Sequence, residues 1–94
     1  MSHAEAASIL PWLFINGGRV LMVEIRVTID IDGRRAYDVC VAPAWDVASS
    51  IIERCDGLPD AFRRHASIAA ALRQTGWTLI RDAAPTRARS GARL

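Results

Sequence analysis

Val23, Ile25, Val27, Ile29 and Ile31 alternate with Glu24, Arg26, Thr28, Asp30 and Asp32. A period of two places every apolar side chain on one side of an extended backbone, so this segment predicts a half-buried strand. Tyr37, Val39 and Val41, alternating with Asp38 and Cys40, predict its antiparallel neighbour. Parity decides the turn between them. A two-residue loop at Asp32-Gly33 would set Val27 against Asp38 and Ile25 against Cys40, apolar facing polar. A three-residue loop, Ile31-Asp32-Gly33 with Gly33 left-handed, sets Val23 against Val41, Ile25 against Val39 and Val27 against Tyr37. It also brings Arg26 to Asp38 and Asp30 to Arg34, pairs of favourable sign contributing about 0.2–1 kcal/mol each.

The pattern then changes period. Pro43 can open a helix, and Trp45, Ala48, Ile52 and Cys55 recur at helical spacing, with Gly57 suited to close the helix and Leu58 to pack on the cap. Pro59 and Asp60 suit the first turn of a second helix, from about Asp60 to Thr75. Its apolar side holds Phe62, His65, Ala66, Ile68, Ala69 and Leu72. Gly76 ends it, and Trp77 to Arg81 predicts a short third strand. The order β-β-α-α-β predicts an α+β two-layer sandwich, a three-stranded antiparallel sheet with two helices on one face. Such a sheet has two edges, and pairing of edges into a homodimer is one way to cover them.

The ends read differently from the middle. Residues 22–83 are expected to form a single α+β domain. Residues 1–21 are expected to lie outside its core. They read either as a leader ahead of a start at Met22, or as an apolar arm that docks on a partner through Leu10, Trp12, Leu13 and Phe14. Asn16-Gly17-Gly18 is a turn or linker signal. Residues 84–94, beginning with Ala84-Pro85, are expected to be a flexible basic tail.

Composition bounds the chemistry. The chain has 94 residues, of which 51% are hydrophobic, enough for one folded domain with one modest core. The longest apolar run, Ile9 to Ile15, contains Pro11 and is too short to span a bilayer, and it lacks the basic start and small-residue cleavage site of a secretory signal, so a cytoplasmic location is expected. Cys40 and Cys55 are too few for a disulfide framework and lack metal-ligand spacing. All 12 basic residues are arginine. From Met22 to Asp60 eight acids face four arginines, and from Ala61 onward seven arginines face Asp82 alone, so an acidic half precedes a basic end.

Phosphate loops, nucleophile elbows and His/Cys metal clusters have no counterpart in the sequence, which therefore predicts neither an enzyme nor a cofactor. His65 sits on the apolar side of its helix, where a hydrogen-bonded core histidine is expected. The run Leu72 to Arg81 resembles the helix–Gly-Trp–strand opening of HicA-type RNA-cleaving toxins. That family continues with a Gly-Ser-His stretch bearing its catalytic histidine, whereas this chain continues Asp82-Ala83-Ala84-Pro85, so no activity is carried over. Two functional readings follow. The first is a non-enzymatic protein-binding or regulatory module that self-associates as a homodimer. The second is a nucleic-acid binder using Arg63, Arg64 and Arg73 with Arg87, Arg89 and Arg93, since clustered arginines release counterions from phosphates.

Overall fold

A computed structural model describes residues 5–82. The elements are β1 (Glu5–Asn16), β2 (Arg19–Ile29), β3 (Arg35–Pro43), β4 (Ile51–Cys55), α1 (Leu58–Gln74) and β5 (Thr78–Asp82), with a 3-10 turn at Val47–Ser49. The strands form one antiparallel sheet in the order β4-β3-β2-β1-β5. The domain is α+β, but the sheet has five strands rather than three and carries one helix rather than two.

The central hairpin has the register that parity demands. Val23 lies opposite Val41, Ile25 opposite Val39 and Val27 opposite Tyr37. Gly33 takes φ = 83°, the left-handed conformation the three-residue loop requires. Asp30 pins the loop, its Oδ1 accepting from the backbone N–H groups of Asp32 and Arg34, both at 2.9 Å.

Residues 5–16, expected in a leader or a docking arm, instead form β1, flanked on both sides within the sheet. Phe14 is wholly buried among Leu21, Val23 and Ile25. Gly17 (φ = 59°) and Gly18 (φ = 87°) make the tight turn into β2, both in the positive-φ region that a two-residue hairpin loop of this hand requires. The alternation along β1 is broken by a bulge. Ile9 lies opposite Ile25 and Trp12 opposite Val23, so Leu10 and Pro11 together face Glu24. The extra residue resets parity, and Ile9, Trp12 and Phe14 all pack against the core while Pro11, which has no N–H to donate, falls in the bulge.

The helix expected from Pro43 to Cys55 is replaced by the 3-10 turn and β4. Val47, Ile51 and Ile52 lose side-chain freedom in a helix, and pairing with β3 satisfies the backbone of β4. Gly57 is extended and serves as the N-cap of α1, with Pro59 and Asp60 in the first turn as expected. The C-terminus of α1 is closed by Gly76 at φ = 98°. Its N–H donates to Arg73 O at 3.3 Å and that of Trp77 to Leu72 O at 2.9 Å, a Schellman motif. The buried stripe is Ala61, His65 and Ala69, flanked by Leu58, Ile68 and Leu72, whereas Phe62 is 41% exposed.

A helix of 17 residues is about 25 Å long. Four strand spacings amount to about 19 Å. One helix can therefore carry the chain across the sheet from the β4 edge to the β5 edge, covering the core on the way. Among the described residues no element packs on the opposite face. There Ser8, Glu24, Arg26, Asp38 and Arg54 form a polar band in which Glu24 and Asp38 are only 7% and 8% exposed. Glu24 accepts from Ser8 Oγ at 2.5 Å and from Arg26 at 3.1 Å. Asp38 faces Arg26 in the ladder but takes its ion pair from Arg54 at 2.5 Å.

Candidate interaction surface

β4 is the outermost strand on one side, and its alternation sends Ile51, Glu53 and Cys55 toward the α1 face and Ile52 and Arg54 toward the open face. α1 does not reach far enough to cover it. Ile51 is 62% and Ile52 58% exposed. Val47 and Trp45, in the connection leading into β4, are also exposed. Two ion pairs fix the strand in place: Arg54 to Asp38 of β3, and Glu53 to Arg64 of α1 at 3.0 Å. Hydrogen bonding to Asp38 raises the Arg54 guanidinium further above its ordinary value.

Between β4 and α1 lies an open groove of about 430 Å³, edged by Glu53, Asp56 and Asp60 and by Arg54, Arg63 and Arg64. Acids and arginines are equal in number there. The opposite edge is different. The pairing of β5 with β1 shifts between Leu13 and Phe14, so that Ile80 is left over as a bulge. Such a bulge twists an edge away from further pairing. The β4 ladder runs through five successive pairs without a shift, and β4 contains neither proline nor lysine. Regular, and carrying two exposed isoleucines beside Glu53 and Arg54, it is the edge more open to another strand.

The residues singled out in the sequence are dispersed. Phe14 is core, and Leu10 and Trp12 pack against it, so three of the four proposed arm contacts serve the fold; Leu13 points to the open face. Arg63 pairs with Asp60, Arg64 with Glu53, and the Arg73 guanidinium lies 6.0 Å from the Trp12 ring centroid. Arg87, Arg89 and Arg93 lie outside the described residues. His65 is a core residue. Its Nε2 donates to Leu10 O at 3.0 Å, and its ring meets Trp12 edge-on at 4.7 Å. At the end of the sheet near the glycine turn, Trp45 stacks on Trp77 at 6.2 Å and Arg19 covers Trp45 at 5.2 Å.

Nothing in the geometry activates a thiol. Burial pushes the Cys40 thiol up, and burial followed by the Glu53 charge pushes Cys55 up, the reverse of what a nucleophilic cysteine needs. Among the described residues no group of three His, Cys, Asp or Glu side chains could hold a metal ion. No helix among them is long and apolar enough to cross a membrane.

The exposed Ile51-Ile52 pair is what a helical reading of the segment hid. The signal available was local: β-branched Val47, Ile51 and Ile52 with Ser49 and Ser50, poor helix formers in close succession. Comparison with known protein families, curated proteins and solved structures returns no match.

Proposed function

We propose that this chain is a non-enzymatic protein-interaction module that self-associates through the β4 edge. The observation that carries the reading is the exposure of Ile51 and Ile52, one on each face of a regular edge strand. Strand addition to such an edge supplies main-chain hydrogen bonds, and the flanking side chains supply selectivity. The nucleic-acid reading draws less support. Arg63 and Arg64 each face a carboxylate and Arg73 lies over Trp12, so none of the three stands as a free phosphate contact.

The test is light scattering after size exclusion, with and without added nucleic acid, at low and moderate salt. A mass above that of one chain, unchanged by nucleic acid and lowered by Ile52→Lys, is expected. A salt-sensitive complex with nucleic acid, formed by a chain that is otherwise single, would transfer the function to the arginines.

A further inference from the structure

Resting on that reading, we infer that the partner of β4 is β4 of a second copy, paired antiparallel about a two-fold axis at Ile52, so that two five-stranded sheets join into one.

Three observations lead to this arrangement. The surface around β4 carries no excess of one sign, because Arg54 is paired with Asp38, Arg63 with Asp60 and Arg64 with Glu53 within the chain. A two-fold interface apposes a patch to itself, which a patch of one sign would resist and a balanced one permits. The second observation is that β4 is free of the bulge that blunts β5, so its outward backbone groups keep the spacing a partner strand needs.

The third concerns register. A two-fold perpendicular to the sheet keeps α1 of both copies on one face, and facing residues must then share a face. Each permitted register therefore sets one β4 residue against its own copy. Centring on Glu53 apposes two carboxylates, and centring on Arg54 apposes two guanidinium groups, both unfavourable. Centring on Ile51 sets Glu53, Arg54 and Cys55 against all three residues of the 3-10 turn at Val47–Ser49, where centring on Ile52 meets Ser49 alone. Centring on Cys55 runs the partner strand into Gly57 and Leu58 at the start of α1. Centring on Ile52 sets Ile52 against Ile52, Ile51 against Glu53 and Ser50 against Arg54. It buries the exposed isoleucine on the open face and leaves no like charges directly opposed.

Cysteine crosslinking of the full chain tests this register, because residues directly opposed in an antiparallel pair have Cα atoms about 4.5–5.5 Å apart, within disulfide reach. A shift of two residues along the strand adds about 7 Å and takes them out of reach. In a Cys55→Ser background, Ile51→Cys, Ile52→Cys, Glu53→Cys and Arg54→Cys are each oxidised mildly and run on a non-reducing gel beside the unsubstituted chain, which keeps Cys55. Alongside, the unsubstituted chain is weighed by light scattering. The expected result is a dimeric mass for the unsubstituted chain and a covalent dimer from Ile52→Cys alone. A dimeric mass with crosslinking instead at Ile51→Cys, Glu53→Cys or Arg54→Cys, or through Cys55 of the unsubstituted chain, overturns the register while leaving the interaction reading intact. A dimeric mass with no crosslink in any variant overturns the β4 pairing. A single-chain mass at every concentration overturns both.

Discussion

β1 and β4 are both rich in isoleucine and other apolar residues, and they end in opposite situations. β1 lies between β2 and β5, and its Phe14 is 0% exposed. β4 lies at the margin, and its two isoleucines are more than half exposed. Hydropathy does not separate the two strands; place in the sheet does. One helix covers the middle strands, so an apolar side chain in β1 stabilises the domain, whereas one at the outer edge of β4 stabilises chiefly whatever joins it there.

That contrast can be broken at several points. The largest expected effect is Phe14→Ala, which empties a closed part of the core and should cost about 3–5 kcal/mol in urea unfolding. Ile52→Ala, unfolded at concentrations where the chain is single, should fall within about 0.5 kcal/mol of the parent. Equal losses at the two positions would erase the distinction drawn here. Next comes His65→Ala, which leaves the Leu10 carbonyl without its donor in the bulge and removes the edge-on contact with Trp12. A loss of about 2–3 kcal/mol is expected. His65→Gln, still able to donate, should recover part of it.

A smaller effect is expected in alkali. Burial raises the Cys40 thiol above its ordinary value of 9.0. Below that pH the thiol is neutral in folded and unfolded chains alike, and it adds no pH dependence. Above it the unfolded chain loses the proton first, so stability should fall as pH rises. Cys40→Ala should flatten that slope relative to the parent. At neutral pH Cys40 should alkylate far more slowly than the less buried Cys55, as mass spectrometry of the native protein would read. The smallest effect on folding is expected from Ile51→Thr, which keeps β-propensity. The melting temperature of the single chain should hardly change, while self-association should weaken.

The two strands also differ in how far they can be read from the chain. The β2–β3 hairpin was legible down to its register and its left-handed Gly33, because one face is apolar, one polar, and the charges agree. α1 and β5 were legible from the spacing of His65, Ile68, Ala69 and Leu72 and from the Gly76 stop, although Phe62 and Ala66, on the expected apolar side, are exposed and the buried Ala61 falls outside it. β1 was not. Its bulge at Leu10-Pro11 interrupts the period, and beyond it Leu13 and Ile15 leave both faces apolar, so no alternation survives to be seen. β4 failed for another reason. Five residues hold too few periods to tell 2.0 from 3.6, and Trp45, Ala48, Ile52 and Cys55 happen to fit the longer one. The candidate surface inherited that error, since a residue assigned to the inside of a helix is not sought on an edge.

The crossover from β4 to β5 has a kinetic consequence. β1 through β4 form a meander of neighbours, each strand pairing with the next across a short connection. β5, by contrast, pairs with β1 across more than sixty residues of intervening sequence, as Ile15 opposite Thr78 shows. Local pairing precedes distant pairing because the loop it closes is smaller. During folding, then, β1 is an edge before it is an interior strand. Phe14 and Trp12 await a helix and a last strand that a ribosome delivers only after the meander has emerged. In that interval the chain has a second sticky margin, and only the arrival of α1 and β5 removes it, leaving β4 as the regular edge that persists in the finished fold.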